Sequence, residues 1–302
     1  MSPSSAAAAP LTSDSLLTPA EQAAYVRDGF IWSDDVFSAT EIAELSAIVE
    51  AQDFASAYKQ RTHTVHSLSL TAADPRLKAL ACDPRIVGRL LPLLGPDICL
   101  QHSKLAAKPL TPGTGLFSWH QDFAYYPHTN TDLLSVMVML DDATPDNGCM
   151  SMVPGSHRLG LLPHQDADGY FIGGCTREEL WRNAADTVAV TPRAGGISIH
   201  HALTLHGSPV NRSGKPRRGL VFSYRAADAQ QLADSVFTDT GLVVAGRRSG
   251  RMRSTAMDIV LPRWRSEQQP HRDAWHQVGA AATEWNVAAG LTPSGMASIP
   301  LA

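Results

Sequence analysis

The chain has 302 residues, 44% of them hydrophobic and 18% charged, with a formal net charge of −4. That length can bury a sizeable core, as one large domain or two small ones. The weakly acidic balance gives no general attraction to nucleic acid or an anionic membrane, and no apolar run reaches the ~18 residues of a membrane span.

The opening MSPSSAAAAP lacks a basic n-region and a long apolar core, so residues 1–15 are expected to form a disordered leader. A single domain is expected over 16–302. In LTPAEQAAYVRDGF, Thr18, Pro19 and Glu21 take the cap, first and third positions of a helix that stops near Gly29. SATEIAELSAIVEAQ repeats the device, with Ser38 as cap and Ile42, Leu45, Ile48 and Val49 on one face. DPRIVGRLLPLLG reads as a third helix.

From about residue 97 the pattern changes to short strands between Gly, Pro and Asn turns. DICLQHSKLAAK, LLSVMVML, CMSMVPG, TVAVTP, GGISIHHALTLHG and RRGLVFSYRA all suit strands, and Asn147-Gly148 marks a tight turn. Helices over 16–96, seven or eight strands over 97–226 and a lid or helical segment over 227–302 predict a mainly β fold with flanking helices. Its core would be a double-stranded β-helix, a cupin-like jelly roll. The stretches 160–185 and 246–254, the latter GRRSGRMRS, read as insertions or lids.

His-x-Asp occurs three times: His120 and Asp122 in FSWHQDFAYYP, His164 and Asp166 in LPHQDADGY, His271 and Asp273 in PHRDAW. A lone copy arises by chance about once in a chain of this composition, so context decides. The second copy sits among turn residues and reads as an exposed polar loop; the third reads as a helix start. The first lies on or just past a strand, where residues two apart project from one face. His206, ending the strand of SIHHALTLHGSPVN, can supply a third ligand. Two imidazoles and one carboxylate with open positions is the arrangement of mononuclear non-haem Fe(II) oxygenases. Eleven residues on, Arg217 opens the next strand. Its planar guanidinium suits the distal carboxylate of 2-oxoglutarate, with Ser208 adding a hydroxyl, while Arg218 should face the other way.

Taken together, HSKLAAKP, WHQD, LLSVMVMLDDATPDNGCMSMVPGSH and HHALTLHGSPVNRSGKPRR resemble the phytanoyl-CoA dioxygenase family of Fe(II)/2-oxoglutarate oxygenases over residues 98–226. The resemblance implies that His120, Asp122 and His206 bind Fe(II) and that Arg217 anchors 2-oxoglutarate, with O2 as the second cosubstrate. It further places Phe117, His102 and Ser208 near the cosubstrate and His201 in support of the strand. The acidic ligand, lost in related halogenases, is present here as Asp122, which favours hydroxylation over chlorination.

The expected reaction is hydroxylation of an aliphatic C–H in a small, possibly anionic molecule, releasing succinate and CO2. Desaturation or cyclisation uses the same machinery, and a 2-oxoglutarate-independent cupin-like isomerase or dioxygenase would keep the triad without needing Arg217. Candidate substrate contacts are Lys104, Arg225 (which shares strand parity with Arg217) and the basic Arg248 and Arg251. Four well-spaced cysteines with no CxxC pair fit a reducing cytosol, so the protein is expected in the cytoplasm, acting on a small molecule and binding neither nucleic acid nor membrane.

Overall fold

The computed structural model describes residues 16–51, 65–235 and 237–264. The expected leader, the third His-x-Asp copy at 271–273, the C-terminal part of the expected helical tail and much of 54–70 lie outside the described residues.

Both N-terminal helices form where their caps predict. Helix α1 (Pro19–Asp28) has a complete Thr18/Glu21 capping box and ends on Gly29, whose φ of 85° places it in the left-handed region that favours glycine. Helix α2 (Ala39–Ala51) starts from the reciprocal bonds of Ser38 and Glu41, and Ile42, Leu45, Ile48 and Val49 are its buried residues. Two short helices not anticipated, α3 (Leu70–Ala73) and α4 (Pro75–Ala81), precede the expected α5 (Pro84–Leu94). Asp74-Pro75 and Asp83-Pro84 start α4 and α5 alike: the Asp side chain accepts the backbone N–H of the residue after Pro.

Among the described residues there are eleven strands: β1 (Phe30–Ser33), β2 (Val65–Leu68), β3 (Ile98–Ala107), β4 (Phe117–His120), β5 (Leu133–Met139), β6 (Met150–Met152), β7 (Val188–Val190), β8 (Ile197–His201), β9 (His206–Ser208), β10 (Arg218–Ala226) and β11 (Leu242–Ala245). They make a larger antiparallel sheet in the order β1-β8-β5-β10-β3-β11, with β2 also on β3, and a smaller one in the order β4-β9-β6-β7. This is the jelly-roll core expected of the sequence.

The central strands are buried on both faces, which is why they read as nearly continuous apolar runs. On β10, Leu220, Phe222 and Tyr224 join the core shared with the helices, together with Leu134, Val136 and Val138 of β5 and Leu77, Ile86 and Leu90 of the helices. The alternate residues, Val221 of β10 with Met137 and Met139 of β5, pack instead with Met150 and Met152 of the smaller sheet. Polar residues on this inner face therefore sit between the sheets, away from bulk water. That inner face holds the site.

Candidate metal centre and cosubstrate pocket

Strands β4 and β9 pair so that His120 faces His206 and Phe117 faces Ser208, with a bulge between the two rungs. Gly207 lies between them; a Cβ there would meet the Trp119 ring at 3.1 Å, so glycine lets the two strands close. Asp122 follows in a short 3₁₀ turn (Asp122–Ala124) rather than on the strand itself. His120, Asp122 and His206 are all buried, and their candidate ligand atoms lie within 4.8 Å of one another.

The hydrogen bonds around the triad suit a divalent cation. His120 Nδ1 donates to the Ser118 carbonyl at 2.8 Å and His206 Nδ1 to the Thr204 carbonyl at 2.9 Å. With those nitrogens protonated, both Nε2 atoms carry lone pairs. They face Asp122 Oδ1, at 3.6 Å from His120 and 4.0 Å from His206. The other carboxylate oxygen, Oδ2, accepts from Ser135 Oγ at 2.8 Å and lies 3.2 Å from His200 Nε2. Burial alone would raise the Asp122 carboxyl; the His120 and His200 imidazoles and the charge of Lys104 outweigh it and hold the group well below the usual carboxylate range. Burial holds His206 well below its ordinary value, helped by His120 and His200, so it stays neutral, as a ligand must.

Beside the triad is a cleft lined among others by Lys104, Phe117, Met137, His200, Ser208 and Arg217. Arg217 immediately precedes β10 and is 3% exposed. Its Nε has no hydrogen-bond partner among the described residues, and its Nη1 reaches only Met137 Sδ at 3.9 Å. Burial lowers the guanidinium to about 10. A buried cation without a carboxylate partner is costly, and an anion in the cleft would relieve it. Arg218 points the opposite way, as strand alternation predicts, and grips Asp141 with two bonds of 2.8 Å and Glu50 with one of 2.9 Å. Gly219 leaves room for Met137, whose Cγ would lie 2.6 Å from a Cβ at that position.

Other sequence expectations are relocated. His102 lies on β3 between the rings of Tyr126 and Phe237, at centroid distances of 5.0 and 4.4 Å, and does not line the cleft beside Arg217. Lys104 does line the cleft; it is buried, and its ammonium sits 4.9 Å from the Phe237 ring centroid. Arg225 shares the inner face as expected, but its guanidinium is already held by Asp239 and by the Ala229 carbonyl, so it staples the segment after β10 instead of facing a substrate. Arg248 donates to the Gly241 carbonyl and Arg251 is exposed; neither lines the cleft. Arg253 ties the same stretch down through Asp132 and Asp228.

His164 corrects the expectation of an exposed loop: it is fully buried. Its Nε2 accepts the Gln121 backbone N–H at 3.0 Å, while the Gln121 amide oxygen accepts from Leu162 N–H at 2.7 Å. The second His-x-Asp copy thus clamps the first. Asp166 does make a turn, accepting from the backbone N–H groups of Asp168 and Tyr170. Three further residues escaped the sequence reading. Gln121 bonds the carbonyls of Gly160 and Leu203, and Lys108, fully buried, donates to those of Gly115, Ser208 and Pro209. His200 was legible in principle: in ISIHH, Ile197 and Ile199 face the helices, so alternation turns His200 inward. His201 faces the other way, against His157, consistent with a supporting role.

The profile for the phytanoyl-CoA dioxygenase (PhyH) family matches residues 25–219. A protein of Stutzerimonas stutzeri named "probable alpha-ketoglutarate-dependent hypophosphite dioxygenase" is 32% identical over 263 residues, covering 80% of this chain and 91% of that protein. The alpha-ketoglutarate-dependent carbocyclase SnoK from nogalamycin biosynthesis superposes with a TM-score of 0.62 at 25% identity, over 74% of this chain and 90% of its own. EctD of S. alaskensis, solved with 2-oxoglutarate and 5-hydroxyectoine, superposes with a TM-score of 0.59 at 25% identity, over 82% of this chain and 89% of its own. The chain belongs to the phytanoyl-CoA dioxygenase family and is a non-haem dioxygenase that uses iron, 2-oxoglutarate and O2.

Proposed function

We propose that His120, Asp122 and His206 hold the iron, that Arg217 with Ser208 and Phe117 seats 2-oxoglutarate, and that the enzyme hydroxylates a small anionic molecule. The observation that carries this reading is the pairing of a histidine–carboxylate cluster with a buried guanidinium, its Nε without a hydrogen-bond partner among the described residues, along one cleft. Bound iron supplies dioxygen activation coupled to decarboxylation of 2-oxoglutarate to succinate and CO2. The chain's own residues do the rest. The Ser118 and Thr204 carbonyls keep both histidines in the ligating tautomer. Arg217, itself buried, neutralises the distal carboxylate.

Lys104 supports the anionic character of the substrate, because a buried ammonium on the cleft wall favours a negative partner. The likeness to a hypophosphite dioxygenase favours a second reading, in which the oxidised bond is P–H rather than an aliphatic C–H. We further propose a single domain over 16–302 acting in the cytoplasm, a reading supported by four free cysteines. No helix among the described residues is long and apolar enough to cross a membrane.

The test is anaerobic addition of Fe(II) and 2-oxoglutarate to the metal-free protein, wild type beside His206→Ala. A visible metal-to-ligand charge-transfer band in the wild type alone supports the assignment. Iron uptake without a band would refute the bidentate cosubstrate. Succinate release can then be screened with small carboxylates, phosphonates and hypophosphite.

A further inference from the structure

Of the six buried histidines among the described residues, four share one habit, while His102 bonds the Gln101 side chain instead. His120, His128, His164 and His206 each donate Nδ1 to the carbonyl two residues earlier: Ser118, Tyr126, Leu162 and Thr204. That local bond fixes each ring from its own backbone. His200 departs from it. Its Nδ1 is buried with no hydrogen-bond partner among the described residues, and its Nε2 addresses Asp122 Oδ2 at 3.2 Å. The ring also lies tilted against that of His206, with centroids 4.6 Å apart, and lines the cleft. A buried histidine that forgoes a backbone anchor to address one carboxylate oxygen has its orientation set by that carboxylate.

We infer that His200 is a positioning residue that locks Asp122 into one-oxygen coordination, an inference that rests on the metal assignment above. The two carboxylate oxygens are in different circumstances. Oδ1 faces the Nε2 atoms of His120 and His206; Oδ2 is engaged by Ser135 Oγ–H and His200 Nε2–H. With two donors on Oδ2, the carboxylate cannot swing both oxygens toward one ion without breaking both bonds. Each bond also draws charge from the carboxylate, which tunes its strength as a ligand. A second oxygen on the metal would occupy a position that 2-oxoglutarate or O2 requires. Ser135 is itself held by Ser223 at 2.7 Å, so the lock reaches across β5 and β10.

The experiment compares wild type, His200→Phe, His200→Gln and Ser135→Ala. Fe(II) affinity is measured by anaerobic titration, and the charge-transfer band is recorded with 2-oxoglutarate. His200→Phe preserves shape and removes the donor; it should weaken Fe(II) binding about ten- to hundredfold and shift or broaden the band. His200→Gln, whose amide N–H can take the place of Nε2–H, should recover most of both. Ser135→Ala should perturb the band in the same direction. An affinity for His200→Phe within twofold of wild type with an unshifted band overturns the inference, as does a Gln variant no better than Phe when both fold normally by circular dichroism. Complete loss of iron, equal to that of His206→Ala, would make His200 a ligand and also overturn it. A wild type that binds no Fe(II) refutes the metal assignment and this inference together; a normal wild type beside an unaltered His200→Phe refutes this inference alone.

Discussion

Replacing Arg217 with methionine should move two quantities in opposite directions. The guanidinium is 3% exposed and lowered by burial to about 10, well below its ordinary value. At about 1.4 kcal/mol per pH unit, that depression costs the folded, ligand-free protein on the order of 3 kcal/mol. Methionine is apolar, fits beside Met137 and removes the buried charge, although part of the gain is lost to imperfect packing. We expect the ligand-free variant to be more stable by about 1–2 kcal/mol, a rise in Tm of roughly 2–3 °C for a domain of this size. Binding of 2-oxoglutarate should fall in the same protein. Truncating one partner of a buried, hydrogen-bonded charge pair costs about 2–5 kcal/mol, or about thirtyfold to several thousandfold in Kd. Differential scanning calorimetry with and without 2-oxoglutarate reads both effects on one sample. Wild type should gain about 2.7 kcal/mol at a cosubstrate concentration one hundred times its Kd, and the variant less than about 1 kcal/mol at the same concentration. A variant that melts below wild type yet binds 2-oxoglutarate within threefold would show that Arg217 is a packing residue and would refute the reasoning.

Lys108→Met should have the opposite effect on stability, because its ammonium is the donor for three carbonyls, those of Gly115, Ser208 and Pro209. Orphaning them costs about 1–3 kcal/mol each at most, so a drop in Tm together with a raised KM for 2-oxoglutarate is expected through the displaced Ser208. An unchanged melt would disprove the staple. Acid should weaken the metal-free fold well above the carboxylate range. Burial lowers His128 to about 4 and His164 and His201 to about 3, and holds His102 and His206 well below the ordinary value. Below about pH 6.5 the unfolded chain takes up protons that these five buried rings refuse, so stability rises with pH and is lost as pH falls, by about 1 kcal/mol per ring at pH 5.5. Urea midpoints at pH 7.5 and 5.5 measure the difference, and a flat profile would contradict the neutral burial of these rings.

The elements that the sequence specifies by itself are those decided within a few residues. The Thr18/Glu21 and Ser38/Glu41 boxes close bonds three residues apart, and strand alternation separates Arg217 from its neighbour Arg218. The triad was legible for a related reason: His-x-Asp and the His206-to-Arg217 spacing are short-range patterns of unusual chemistry. What lies outside local rules is who meets whom. Nothing near His164 marks it as buried, because its partner is the backbone N–H of Gln121, between His120 and Asp122 and 43 residues away. Arg225 has the right parity for the site, yet Asp239 from the following segment claims its guanidinium. His200 and Asp122 are 78 residues apart, and only the antiparallel pairing of β8 with β5, which places His200 opposite Ser135, joins them. Backbone sterics and caps act along the chain, whereas burial and hydrogen-bond partners are properties of the packed sheets. The sequence therefore names the chemistry of this site, and the tertiary structure decides which polar groups serve it and which ones brace it.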